Sequence, residues 1–128
     1  MAHWINIELG TYRVEEAFLL TPGFTAGTLE DAIIEVFLDS GNERRVRGHA
    51  MATNMVMVEL LEDHDETDVL LDLGGEFKFL LRAPSIRAGK AFSPDVKALL
   101  HFIAQGPLQK LSGPEYTEIR SKLTLLDL

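Results

Sequence analysis

Residues 28–41 read TLEDAIIEVFLDSG, and the choice between helix and strand for them decides the fold. As a helix, Thr28 is the N-cap and Asp31 closes a box-like pattern, with Asp in place of the usual Glu. Glu30 and Asp31 then occupy the first turn, where carboxylates meet the positive end of the helix dipole. Leu29, Ala32, Ile33, Val36 and Phe37 make one apolar stripe, and Gly41 supplies the C′ residue. As a strand, IIEVF is rich in β-formers and Ser40-Gly41-Asn42 turns a hairpin. Start, stripe and stop agree on the helix, which is the preferred reading; the strand is the alternative.

Toward the N-terminus the pattern is β. In residues 4–9, Ile5, Ile7 and Leu9 alternate with Asn6 and Glu8. Gly10-Thr11 is a Gly-X pair suited to a two-residue type II′ turn, which would set Leu9 against Tyr12 and Ile7 against Val14. The second arm, residues 12–20, ends at Thr21-Pro22-Gly23, because Pro cannot donate to a ladder and Gly frees the backbone.

Toward the C-terminus, residues 43–49 (ERRVRGH) read as a short strand or loop. Residues 52–61 read as a strand with Val56, Val58 and Leu60 on one face, a buried helical segment being the alternative. Residues 62–67 form a solvated turn. Residues 69–83 carry the most informative hairpin. A three-residue loop, Gly74 to Glu76, pairs Leu73 with Phe77, Leu71 with Phe79 and Val69 with Leu81, and sets Asp72 against Lys78 and Asp68 against Arg82. A slip of one residue would invert every side chain, so the patterning selects the register. After a loop over 83–92, Ser93-Pro94-Asp95 opens a predicted helix with Val96, Leu99, Leu100 and Ile103 inward and Lys97, His101 and Gln105 toward solvent. Ser112-Gly113-Pro114-Glu115 repeats that opening. Tyr116, Ile119 and Leu123 form its stripe, and Glu118 with Lys122 is an i,i+4 pair. The tail continues this helix or adds a last strand.

These elements imply an α+β fold: a mainly antiparallel sheet of about five or six strands packed against C-terminal helices, with a mostly β sandwich carrying C-terminal helices as the alternative. The 128 residues, 46% apolar and 25% charged, suit a single globular domain over 1–128. There is no cysteine, which removes disulfides and Cys-based metal sites. No apolar run reaches the roughly 18 to 20 residues of a membrane helix, and the N-terminus lacks a signal peptide's basic and apolar regions. A cytoplasmic protein without membrane contact is expected.

The charge is uneven. Of 20 acids and 12 bases, residues 1–54 hold eight and four, residues 55–77 hold eight and none, and residues 78–128 hold four and eight. The net −8 disfavours nucleic acid, which requires clustered Lys and Arg. Within the acidic stretch, Asp63-His64-Asp65-Glu66-Thr67-Asp68 begins like a calcium loop but places Asp68 where the loop requires Gly. No metal or cofactor is therefore assigned. No nucleophile motif, zinc-protease helix, dinucleotide fingerprint or Walker loop is present, and no catalytic residue is assigned. Arg44, Arg45, Arg47 and His49 are the candidate anion site, since guanidinium forks bind phosphate and carboxylate. Glu59, Glu62, Asp63, Asp65 and Glu66 are the candidate partner-binding residues.

The expected function is a non-catalytic protein-interaction module, of inhibitor, immunity or adaptor type, presenting an acidic hairpin to a basic partner protein. A small-molecule or anion-binding domain, or an enzyme with a dispersed site near Arg44, Arg45, Arg47 and His49, is one alternative. The other is a structural subunit that assembles with itself, for example as a homodimer through an edge strand such as residues 55–61 or the tail.

Overall fold

A computed structural model describes residues 8–62, 66–88, 97–105 and 109–126. Residues 28–41 are not a helix. They belong to β3 (Thr25–Leu38) and the turn that follows it, where the Asp39 carboxylate accepts from the Gly41 and Glu43 amides at 2.8 and 3.0 Å. Ala32, Ile34 and Val36 are buried while Ile33, Glu35 and Phe37 are only partly so. That is a period of two, and β-branched Ile33, Ile34 and Val36 suit it.

β3 is the spine. On one side it pairs with β1 (Gly10–Arg13) and β2 (Glu16–Leu20) in one antiparallel register: Gly10 opposite Val36, Arg13 opposite Ile33, Ala17 opposite Leu29, Leu20 opposite Ala26. β1 and β2 are thus one arm of a long hairpin that turns at Thr21–Thr25, with Thr21 and Thr25 joined at 2.9 Å. The expected turn at Gly10-Thr11 is corrected: both residues are paired strand. Residues 1–7, the first arm of that expected hairpin, lie outside the described residues.

The hairpin changes phase in the middle. In β1 and its extension Tyr12 and Val14 pack inward, but in β2 it is Ala17 and Leu19; in β3 it is Leu29 before the change and Ala32, Ile34 and Val36 after it. The residues at the change, Glu15-Glu16 and Glu30-Asp31, are charged. Asp31 takes φ +51 and the register with β4 (Arg44–Thr53) shifts between Glu30 and Ile33. Such a bulge bends a strand and increases its twist. The sheet turns this corner and curls into a half-barrel.

Beyond the corner one half of the sheet adds β4, β8 (Lys97–Ile103) and the edge strand β7 (Ser85–Ala88); the other adds β5 (Asp68–Asp72), β6 (Lys78–Leu81) and the edge strand β9 (Gln109–Leu111). With β10 (Thr124–Leu125), which pairs parallel with β3, the described residues form ten strands. The expected sheet of five or six strands with C-terminal helices is overturned, and so is its two-sheet sandwich alternative, since one continuous curled sheet forms the molecule.

The second expected helix is also corrected. Residues 97–103 are β8, because Leu100 and Phe102 point inward and Lys97, Leu99 and His101 outward, again with period two. Its expected cap, Ser93-Pro94-Asp95, lies outside the described residues. β7 replaces part of the expected 83–92 loop. Residues 52–61 divide: β4 ends at Thr53 and a helical turn, α1 (Asn54–Met57), widens into a π-helical turn, Val58–Glu62. Val56, Met57 and Leu60 fill the concave core between the two halves, so the helical alternative for this segment is the observed one.

The 69–83 hairpin has the expected register: Val69 opposite Leu81, Leu71 opposite Phe79, Asp72 opposite Lys78, with Leu73 donating to Phe77 at 2.9 Å. Its other face, Leu70 and Leu80, is buried too. Together with Phe18, Leu20, Ala26 and Leu111 it is covered by the C-terminal helix α2 (Gly113–Lys122) through Tyr116. This helix starts as expected, in a full capping box: Ser112 N–H donates to Glu115 Oε1 at 2.9 Å, and Glu115 N–H to Ser112 Oγ at 3.2 Å.

Gly48 on β4 lies against Phe102; a methyl there would overlap the ring and stand 2.8 Å from the Ile33 carbonyl oxygen. Gly48→Ala is expected to destabilise by about 1–3 kcal/mol through overpacking, read as a lower urea midpoint at unchanged slope. The bonds at Ser112 hold the Glu115 carboxyl below its usual range, the backbone bond most strongly. A depressed folded value adds stability that is complete above the ordinary carboxylate range and is lost as pH falls through the lowered value. Ser112→Ala should cost about 1 kcal/mol and move the Glu115 titration, followed by NMR, part of the way up.

Candidate functional site

The two outer faces of the curled sheet differ. α2 covers one; on the other, formed by β1, the second half of β3, β4, β8 and β7, no described element packs. Antiparallel pairing places opposite residues on one face, about 5 Å apart. The pairs Arg13–Ile33, Ile33–His49, His49–His101 and His101–Arg87 therefore form a single row across five strands, about 19 Å long at the usual strand spacing. The His49 and His101 ring centroids are 5.9 Å apart. The next row is Thr11, Glu35, Arg47, Ile103 and Ser85. On the other side, Met51 faces Leu99 and Thr53 faces Lys97.

This face is mixed in character. Leu99 is 42% exposed, with Met51 opposite it and Ile33, Ile103 and Phe37 partly exposed elsewhere on the face. Cations surround these apolar groups. Arg47 donates to Glu35 at 2.6 Å and stacks over Phe37, 4.3 Å from its centroid. Arg45 donates to the Ala104 carbonyl at 2.8 Å and lies 3.9 Å from Asp39. Lys97 pairs with Glu30, and that hydrogen bond holds its ammonium pKa above the usual value. Arg13 and Arg87, at the two ends of the row, are exposed and make no ion pair among the described residues. A depression of about 230 Å³ opens beside the row, lined by Thr11, Ile33, Glu35, Arg47 and His49.

Of the candidate anion residues, Arg45, Arg47 and His49 share this face, as alternate residues of one strand must. Arg44, opposite Leu38, falls on the other side of the alternation. Arg13, Arg87, Lys97, Leu99 and His101 join the face only through pairing of strands far apart in sequence. One local signal existed: Lys97, His101 and Gln105 recur every four residues, which places them together on a strand as well as on a helix.

A second concavity sits at the corner. A cleft of about 560 Å³ is lined by Glu15, Glu16, Glu30, Asp31, Lys97 and Arg120, among others. Glu16 accepts from Tyr116 Oη at 2.7 Å and from Arg120 Nε at 3.0 Å. Burial first, and then this carboxylate, pushes the Tyr116 phenol well above its ordinary pKa, so it remains a hydrogen-bond donor that ties α2 to the corner. The cleft's cations are engaged by its own carboxylates, and no group able to hold a metal occurs among the described residues.

The candidate partner-binding residues lie elsewhere. Glu59 is exposed on the π-helical turn that Glu62 closes, and Glu66 is exposed before β5. Asp63 and Asp65 lie outside the described residues. Thr67, expected in a solvated turn, is buried. Within the hairpin, Asp68 accepts from Arg82 at 3.4 Å and from the Ala83 amide at 2.9 Å, and Asp72 from Lys78 at 3.3 Å and the Gly74 amide at 2.8 Å. Residues 55–61, considered as a pairing edge, are helical, and the tail strand β10 is already paired with β3. The strands with a single described partner strand are β1, β7, β9 and β10. No described helix is long and apolar enough to cross a membrane.

The chain matches no protein-family model and no curated protein. It is similar to the crystal structure of a hypothetical protein from Staphylococcus aureus, with a TM-score of 0.51 and 14% identity over 94% of this chain and 100% of the other. That likeness concerns the fold.

Both partners of the Arg47–Glu35 pair are about half exposed, where ion pairs contribute little. Arg47→Ala is expected to lower stability by less than about 1 kcal/mol in urea titration, which leaves the face open to substitution without loss of the fold.

Proposed function

We propose that this chain is a protein-interaction module whose docking surface is the outer face of the β1–β3–β4–β8–β7 half-sheet. One observation carries the reading: the equivalent face of the other half is sealed by α2, whereas this one holds Leu99, Met51, Ile33 and Ile103 in contact with solvent, bordered by Arg13, Arg87, Lys97 and two histidines. Apolar groups at the centre with a polar rim match the anatomy of protein interfaces. The surplus of cations selects a partner with an acidic surface, because complementary potentials speed and orient association.

A second reading concerns the acidic stretch as a surface for a basic partner. It is favoured by how the hairpin handles its charge. Asp68 and Asp72 are satisfied inside the hairpin, while Glu59, Glu66 and Glu76 face solvent in a stretch without Lys or Arg. The two readings describe two surfaces of one module.

A photo-crosslinking side chain at position 99, expressed in the cell of origin, should give a discrete adduct, whereas the same group at Ser121 on α2 should give none. Leu99→Ser should abolish that association and leave stability within about 0.5 kcal/mol, as exposed substitutions do. Equal labelling at positions 99 and 121, or no adduct at 99, would sink the reading.

A further inference from the structure

The two surfaces are complementary in charge within one sequence. Residues 55–77 carry eight carboxylates and no Lys or Arg, and the remainder of the chain is balanced. The outer face carries Arg13 and Arg87 without ion-pair partners among the described residues, flanking His49 and His101. The acidic stretch does not neutralise its own face. After β4 the chain turns to the concave side, where Val56, Met57 and Leu60 anchor it in the core. Among the described residues, Glu59, Glu66 and Glu76 make no ion pair with any cation of the outer face.

We propose that the acidic partner of the outer face is a second copy of this chain, which brings Glu59 and Glu66 onto the row between Arg13 and Arg87. This deepens the proposed function and rests on its docking face. Two different surfaces meet, so the contact closes as a two-fold dimer where both pairs of surfaces engage at once and otherwise builds rings or filaments. The apolar residues between the cations give the contact a centre that excludes water, and Met55, 37% exposed and four residues before Glu59 in the same helical segment, offers the apolar counterpart to Leu99. The net charge of −8 repels copies at long range. At about 0.15 M salt the Debye length of about 8 Å screens that repulsion far more than it screens groups in contact.

Charge swapping tests this. Sedimentation velocity at about 0.15 M salt should show the wild-type chain assembling with concentration and dissociating near 1 M salt, where the Debye length is about 3 Å. Arg13→Glu with Arg87→Glu should weaken assembly by at least about tenfold, as should Glu59→Lys with Glu66→Lys. An equimolar mixture of the two variants should assemble again, because each reversed surface then meets its opposite. Circular dichroism and urea midpoints show that each variant is folded before it is compared. A wild-type chain that stays monomeric throughout, an assembly indifferent to either reversal, or a mixture that fails to assemble overturns the proposal. The mass of the adduct formed through position 99 separates the two ideas: twice the chain mass supports self-assembly, a different mass leaves the docking face standing and removes the second copy, and no adduct removes both.

Discussion

A β-strand sends successive side chains to opposite faces, so a strand that must bury one face can change which residues it buries only by breaking its alternation. The long hairpin of β1, β2 and β3 does this once, at Glu15-Glu16 on one arm and Glu30-Asp31 on the other. The rest of the molecule follows from that corner. Between it and the hairpin turn the odd-numbered residues Leu29 and Leu19 face the core, and on its far side the even-numbered Ile34, Val36 and Tyr12 do. Both arms change together, which is why the register between them is unbroken. Had one arm changed alone, half of the hairpin would have presented its apolar residues to solvent. The corner brings the two halves of the sheet face to face around the core and creates two outer faces with different fates.

The corner is written in the sequence, but in a form that imitates a different signal. Two consecutive charged residues inside an apolar segment are what a strand shows where both side chains escape the core. They are also what a helix shows in its first turn. At Glu30-Asp31 the preceding Thr28 completes the imitation. Residues 97–103 mislead in a related way. Positions four apart share a face on a helix and also on a strand, since four is even, so Lys97, His101 and Gln105 carry no vote. The decisive residues are Leu100 and Phe102, buried two apart, against Leu99, which a helical stripe would bury and the strand exposes. The hairpin at 69–81 and the capped helix at 113–122 were legible because each is settled by local chemistry: paired glycines and matched alternation in one, a Ser-x-x-Glu box in the other.

The outer face proposed for docking was legible only in part, for the same reason. Arg45, Arg47 and His49 lie on one strand, and alternation alone puts them side by side. Arg13, His101 and Arg87 are separated from them by tens of residues of sequence and are joined by strand order, β1 to β3 to β4 to β8 to β7. No local pattern encodes that order. The charge balance encodes a weaker version of it, since the last third of the chain is basic; the pairing of β8 with β4 brings Lys97 and His101, and beyond them Arg87, to the outer side.

The separation of the two charged surfaces also has a packing cause. Gly27 on β3 lets Val56 sit directly against the strand; a methyl at Gly27 would overlap that side chain. Val56, Met57 and Leu60 are consequently held deep in the concave side, and the chain that carries the acidic residues starts from this anchor. A segment without such an anchor could fold back over β4 and cancel the basic face within one molecule. With it, intramolecular cancellation would require pulling three buried apolar side chains into water, at roughly 1.5–3 kcal/mol each, in exchange for exposed ion pairs worth at most about 1 kcal/mol each. The comparison favours the anchored arrangement, in which the described carboxylates Glu59 and Glu66 make no ion pair with the cations of the outer face.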